Sequence, residues 1–106
     1  MRIFKNTWFA RFAGKERITD GELREIANQL DEGKTGVALG GGVYKVRVAR
    51  SGEGKSGGYR AILFFRSAEK IFYHYAFSKA ARDNIEEKEL RFFRKLAKRY
   101  IAMTIS

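Results

Sequence analysis

Three cations, Lys45, Arg47 and Arg60, have the spacing best suited to chemistry on an anion. Lys45 and Arg47 are two residues apart in an alternating segment, so in a strand they project from the same face. Arg60 begins the next β-prone segment and would lie beside them if the two strands pair. Because like charges on neighbouring strands repel, a bound anion such as a phosphate favours this grouping. A solvated sheet face is the alternative explanation.

A glycine-rich basic run, Gly54-Lys55-Ser56-Gly57-Gly58, lies between these two segments. Its Gly-Lys-Ser centre is similar to a nucleotide-binding P-loop, but a P-loop opens a helix and this run leads into a strand, so we reject that function. Consecutive glycines bring backbone amides close to an anion, and Lys55 adds a mobile charge. The same glycines are equally consistent with a simple flexible hairpin. Arg50 adjoins the run on the opposite strand face and is the weaker candidate.

The third β-prone segment contains alternating aromatic residues, Tyr73, Tyr75 and Phe77. Aromatic rings in a basic setting can stack on nucleobases. Rings at this spacing more often belong to the core, which is the preferred interpretation for Phe77. Lys79 and Arg82 follow this segment and extend the positive charge beyond its end.

The charge of the chain is concentrated in its centre. The 106 residues carry a formal net charge of +10, and residues 43–82 contain nine Lys and Arg against two acids. This distribution favours an anionic partner such as nucleic acid or an acidic protein. The absence of cysteine excludes disulfides, thiol catalysis and cysteine metal sites, and the single histidine, His74, excludes a histidine-rich site and is expected to be structural.

The elements that must position these residues form one predicted domain, residues 1–106. We predict an α+β fold with the order β-α-α-β-β-β-α, in which helices pack on a mostly antiparallel sheet. Strands are predicted at 2–5, 43–50, 59–66 and 71–77, and helices are predicted from Asn6, from Thr19 to Gly33 and from Asn84 onward. No segment has the length of a membrane span or the pattern of a signal peptide, so a cytoplasmic location is expected.

With these segments the chain resembles the RelE toxin superfamily of bacterial toxin–antitoxin modules, most closely its HigB-like branch. The resemblance covers nearly the whole chain. Its most specific part is Lys55-Ser56-Gly57-Gly58-Tyr59-Arg60. It also includes Ile3-Phe4-Lys5, Trp8-Phe9-Ala10, residues 39–50, Tyr75-Ala76-Phe77-Ser78-Lys79, Asn84-Ile85 and Glu89.

The resemblance implies a ribosome-dependent mRNA endonuclease that stops translation and is inhibited by an antitoxin, commonly a helix-turn-helix protein. In such enzymes the ribose 2′-hydroxyl attacks the adjacent phosphate, and neither a metal nor another cofactor is needed. The resemblance implies a catalytic role for Arg60, which stabilises the transition-state phosphate, and for Lys45 and Arg47, which orient the backbone or transfer a proton. RNA-binding roles are expected for Lys55, Ser56, Arg50, Lys79, Tyr75 and Arg82.

Two other functions are consistent with the sequence. The same superfamily includes ParE-like toxins that inhibit gyrase without cleaving RNA. A basic nucleic-acid-binding module without catalysis is the third possibility, and it predicts strongly salt-dependent binding and no strand scission. Several family members place a histidine base or a catalytic tyrosine near the C-terminus. His74 and Tyr75 lie on the corresponding strand, but Tyr100 falls in the apolar stripe of the last helix, so the general acid and the general base are unassigned.

Overall fold

The computed structural model describes residues 2–49, 58–67 and 69–103. Five strands and three helices follow one another in the order β-α-α-β-β-β-β-α. They are β1 (Arg2–Lys5), α1 (Thr7–Lys15), α2 (Asp20–Asp31), β2 (Val37–Gly40), β3 (Val43–Val48), β4 (Tyr59–Ser67), β5 (Lys70–Ser78) and α3 (Glu87–Met103). The predicted α+β class is confirmed, and the structure adds the short strand β2 to the predicted elements.

The strands form one mixed sheet with the order β1-β5-β4-β3-β2. Strand β1 runs parallel to β5, and every other neighbouring pair is antiparallel. The predicted central strand is confirmed, because β4 lies in the middle of the sheet between β3 and β5. Arg47 on β3 is the direct cross-strand partner of Arg60 on β4, so the register brings two of the predicted site residues side by side.

Local capping chemistry begins α1 and α2, and ends α2, as the sequence predicts. The Asn6 side chain accepts the backbone N–H of Phe9 at 2.7 Å and caps α1. Thr19 and Glu22 form a capping box at the start of α2. Gly33 has a φ of 74° directly after the last residues of α2, where a left-handed backbone closes the helix.

The prediction that Asn84 caps the long helix is wrong. Helix α3 begins at Glu87, and the Glu89 carboxylate accepts the N–H of Glu86 at 2.9 Å, which provides the cap. The Asn84 side chain instead accepts the N–H of Ile85 at 2.9 Å and the ammonium of Lys45 at 3.2 Å. This residue therefore lies in the connection between β5 and α3, beside the sheet.

The hairpin between β2 and β3 requires glycine. The two turn residues, Gly41 and Gly42, have φ values of 64° and 85°, which non-glycine residues rarely adopt. A Cβ atom at Gly42 would lie 2.7 Å from the Ile101 side chain of α3. The turn is thus tight enough for α3 to pack directly against it.

The sheet separates two hydrophobic cores. One face packs against α1 and α2, with Phe9, Leu23 and Tyr73 among its fully buried residues. The other face packs against α3 through Phe93 and Ala97. Helix α3 covers Val43, Ile62, Phe64 and Phe77 on that face, which confirms Phe77 as a core residue. Lys45 and Arg60 are the direct cross-strand partners of two of these residues, Ile62 and Phe77, so they project from the same face of the sheet.

Candidate functional site

Four of the predicted site residues line one groove of about 340 Å³. They are Lys45, Arg47, Arg60 and Lys79. We call this feature the cationic groove. These cations come from the β3–β4 pair and from the residue after β5, and Thr35, Gly36 and Val37 also line the groove. The predicted convergence of Lys45, Arg47 and Arg60 is thus present in the structure, with Lys79 as a fourth cation.

Arg60 is the most buried polar residue of the groove. Its relative exposure is 8 %, and its cross-strand neighbours are Arg47 and Phe77. One guanidinium nitrogen donates to the Tyr59 carbonyl at 3.4 Å. No carboxylate among the described residues forms an ion pair with Arg60. Because a buried unpaired cation is costly, this arrangement is typical of a site that receives an anion.

Lys45 is held differently. Its ammonium donates to the Asn84 side-chain oxygen at 3.2 Å, and its cross-strand neighbours are Val37 and Ile62. An ammonium carries three N–H donors, so this bond leaves two for a ligand. Arg47 and Lys79 are exposed, and their charges can contact a ligand from the rim.

Asp83 is a carboxylate on the groove wall that the sequence analysis did not identify as a site residue. It follows β5 by five positions and precedes Asn84, in a segment without a regular pattern. Proximity to Lys79 and Arg82 in the sequence was the available signal, but residues this close also occur together by chance. Among the described residues, the groove therefore combines four cations with one carboxylate.

Arg82, predicted as an RNA contact, forms a bidentate ion pair with Glu89. Its Nε atom donates to the Asn84 carbonyl at 3.1 Å, and its guanidinium lies 5.4 Å from the Phe77 ring centroid. This pairing raises the pKa of Arg82 and, together with the backbone N–H of Glu86, lowers the pKa of Glu89. The charge of Arg82 is therefore compensated within the chain.

Tyr75 is half-buried in an aromatic cluster beside the groove. Its ring lies 4.9 Å from Trp8 and 6.0 Å from Phe93, and its hydroxyl accepts from Arg82 at 3.5 Å. Trp8 is 46 % exposed, so the cluster reaches the surface. The three remaining predicted contacts, Arg50, Lys55 and Ser56, lie outside the described residues.

His74 is packed as a structural residue. Its ring stacks on Phe64 at 5.0 Å and meets Phe93 edge-on at 5.4 Å. The Asn6 amide lies 3.0 Å from its Nδ1 atom and donates to its backbone carbonyl at 2.9 Å. Burial lowers the pKa of His74, which favours the neutral ring. The side chain links the start of α1 to β5.

A larger groove of about 540 Å³ lies between α2 and the end of β3. Glu22 and Glu25 line it, and their carboxylates disfavour a phosphate ligand. No group of His, Asp and Glu side chains suited to a metal ion occurs within residues 2–49, 58–67 and 69–103. Over the same ranges no helix has the length and apolar content needed to cross a bilayer.

Comparison with known protein families identifies the family of this chain. No match is found among curated proteins. The family model described as "RelE toxin of RelE / RelB toxin-antitoxin system" matches residues 1–106. Since this match extends over all the strands and helices that build the cationic groove, the chain belongs to the RelE toxin family and is the toxin of a toxin–antitoxin system, with a cognate antitoxin as its partner.

Proposed function

We propose that this toxin is a ribosome-dependent mRNA endonuclease that cleaves through attack of a ribose 2′-hydroxyl on the adjacent phosphate. The observation that carries this proposal is the convergence of Lys45, Arg47, Arg60 and Lys79 in one groove. Such a reaction adds negative charge to the phosphate in the transition state. Fixed cations in a partly buried groove stabilise that charge without reorganising.

Arg60 is assigned to the transition-state phosphate. Its guanidinium is planar, permanently charged and able to donate two parallel hydrogen bonds to phosphate oxygens. Burial to 8 % exposure lowers the local dielectric, so its attraction for the developing charge is stronger than that of a surface arginine. The absence of an ion-pairing carboxylate among the described residues leaves that charge available to RNA.

The other groove residues are assigned to orientation and proton transfer. Lys45 keeps two ammonium donors for the substrate, and we assign proton transfer to Lys45 and Asp83, which both line the groove. Arg47 and Lys79 contact the RNA backbone from exposed positions. Tyr75 and its exposed neighbour Trp8 form an aromatic surface for a base.

The expected RNA contacts of Arg50, Lys55 and Ser56 stay predictions. They precede Gly58 and Tyr59 in the chain, next to the strand that carries Arg60. Arg82 is the weakest candidate among the expected RNA contacts. Its guanidinium already pairs with Glu89, and breaking that pair to bind RNA would expose an unpaired carboxylate.

A reconstituted translation reaction tests the proposal. The purified protein is added to it, and new mRNA 5′ ends are mapped on translated and untranslated copies of one message. We expect cuts only on the translated copy, and we expect Arg60→Ala to abolish them. Arg11→Ala is the matched control, since Arg11 is an exposed cation on α1 that does not line the groove.

Each other outcome contradicts the proposal. An intact message with normal protein synthesis would refute it, and inhibition of gyrase supercoiling by the same sample would favour a ParE-like activity. Salt-dependent RNA binding without any cleavage would identify a non-catalytic binding module.

A further inference from the structure

The contact between Lys45 and Asn84 joins the cationic groove to the segment before α3. The Asn84 side-chain oxygen accepts the Lys45 ammonium at 3.2 Å and the Ile85 N–H at 2.9 Å. Lys45 has no ion-pairing carboxylate among the described residues. A lysine side chain has four rotatable bonds, so a hydrogen bond to a fixed acceptor restricts the positions that its charge can occupy.

The backbone carbonyl of Asn84 is also held by a hydrogen bond. The Arg82 Nε atom donates to the Asn84 carbonyl at 3.1 Å, and the rest of the Arg82 guanidinium pairs with Glu89. Glu89 also accepts the N–H of Glu86 at 2.9 Å at the start of α3. These bonds attach the backbone of Asn84 to the first turn of a helix that is packed on the sheet.

The Asn84 amide is suited to hold the Lys45 ammonium while that ammonium also binds a phosphate ligand. A carboxylate at this position would neutralise the ammonium, compete with phosphate and raise the pKa of the lysine. A neutral amide oxygen directs one N–H and leaves the charge and two donors for the ligand. The neighbouring Asp83 lines the groove without forming an ion pair to Lys45, so the acceptor used is the amide.

We propose that Asn84 is a positioning residue that fixes the Lys45 ammonium in the groove, with the Arg82–Glu89 pair holding Asn84 in place. This inference rests on the proposed function, because it assigns Asn84 to the reaction that Lys45 serves. A purely structural Asn84 would only accept the Ile85 N–H and shape the connection to α3. The two roles predict different results when Lys45 is also changed.

A double-mutant cycle that measures the rate of cleavage of translated mRNA distinguishes the positioning role of Asn84 from a purely structural one. We expect Asn84→Ala to slow single-turnover cleavage by roughly 10-fold to 100-fold through a displaced ammonium. In a Lys45→Ala background the same change should slow the reaction by less than about twofold, since the group that Asn84 holds is gone. Equal losses in both backgrounds would overturn the positioning role. Asn28→Ala, on an exposed part of α2, is the matched control and should cleave at the wild-type rate.

Asn84→Asp provides a second variant, which keeps both hydrogen bonds and the fold. Its carboxylate stabilises the charged form of Lys45, so the pH–rate profile should shift to higher pH. An unshifted profile with a wild-type rate would contradict the assignment of Lys45 positioning to this contact.

A readout without cleavage keeps the inference separate from the proposed function. The Lys45 ¹³Cε resonance, assigned with Lys45→Arg, is followed across pH in the wild type, Asn84→Ala and Asn84→Asp proteins. We expect a higher titration midpoint in Asn84→Asp and a resonance closer to that of free lysine in Asn84→Ala. If the wild type cleaves RNA but neither Asn84 substitution alters the Lys45 resonance, the positioning role alone is refuted. If the wild type does not cleave, the proposed function is refuted, and the resonance alone decides whether Asn84 fixes Lys45.

Discussion

Replacing Arg60 with methionine should abolish RNA cleavage and leave the fold at least as stable as the wild type. The side chain is 8 % exposed, and its one hydrogen bond within the described residues, to the Tyr59 carbonyl, is long at 3.4 Å. Arg47 lies directly across the β3–β4 pair, so a like charge is its nearest cross-strand neighbour on that side. The native position is therefore unfavourable for a cation without a ligand.

The expected change in stability follows from these contacts. Methionine matches the apolar stem of arginine, and it can pack beside Phe77 and Arg47 without a charge to desolvate. Replacing even a paired set of buried charges with apolar residues is often neutral or stabilising by about 1–4 kcal/mol, and removing a buried charge avoids its desolvation cost. We expect the free energy of unfolding in urea to be unchanged or raised by up to about 2 kcal/mol, because part of the guanidinium already reaches the groove.

The expected loss of activity is much larger. Removing one fixed donor from a site that stabilises transition-state charge costs about 10²–10³-fold in rate, and a phosphate-binding arginine costs about 10³-fold or more. Single-turnover cleavage of translated mRNA by Arg60→Met should fall by at least about 10³-fold, or roughly 4 kcal/mol of transition-state stabilisation. Arg60→Lys retains the charge and loses the two-donor geometry, so it should remain strongly impaired.

The opposite pattern would refute this reasoning. If Arg60→Met unfolds at lower urea by about 2 kcal/mol or more and still cleaves at the wild-type rate, Arg60 is a structural residue of the sheet. A parallel measurement with inorganic phosphate sharpens the result. Phosphate should raise the melting temperature of the wild type more than that of Arg60→Met, because binding to the folded state stabilises it.

Three further changes test the packing around the site. Because burial lowers the pKa of His74, the unfolded chain binds more protons than the folded chain below pH about 6.5, so the free energy of unfolding should fall as the pH drops through that range. The substitution His74→Phe should flatten this part of the pH dependence measured by urea unfolding. An unchanged slope would contradict the assignment of this pH dependence to His74. Tyr73→Phe removes the buried hydroxyl that donates to the Leu23 carbonyl at 2.7 Å and should cost about 1 kcal/mol in the same assay, whereas no change would show that the bond contributes nothing net. Gly58→Ala places a Cβ 2.3 Å from the Val48 carbonyl oxygen. It should lower the free energy of unfolding by about 1–3 kcal/mol and the melting temperature by several degrees. A neutral effect would show that the start of β4 can shift.

Local sequence patterns predicted the starts of α1 and α2, the end of α2 and the side-chain faces of β3. Thr19 and Glu22 form the expected capping box because the motif needs only contacts three residues apart. The alternation of β3 placed Lys45 and Arg47 on one face, and this holds because the period of a strand is fixed by its backbone.

The cross-strand register could not be predicted from the sequence. The pairing of Arg47 with Arg60 depends on the connection at residues 49–58, whose length alone does not fix a register. The parallel pairing of β1 with β5 joins residues far apart in the chain and has no local signal. Strand β2 was missed because Val37–Gly40 is short and leads into two positive-φ glycines.

A β-bulge explains why the roles of His74 and Tyr75 were hard to assign. The register shifts where Ile62 pairs with Tyr75 and Leu63 pairs with Tyr73. His74 is therefore the extra residue, and both His74 and Tyr75 contact Phe93 of α3. A strict alternation would have placed these two side chains on opposite faces. The ion pair of Arg82 with Glu89 was likewise missed, because it joins an irregular segment to a helix.

Attack by a ribose 2′-hydroxyl in the cationic groove is tested most directly with one modified message. The cut site is first mapped on translated mRNA, and the message is then prepared with a single 2′-deoxynucleotide on the 5′ side of the scissile phosphate. We expect wild-type protein to stop cutting at that position while it still cuts the unmodified message and leaves a cyclic phosphate. Continued cleavage at the deoxynucleotide would contradict the mechanism assigned to Lys45, Arg47 and Arg60.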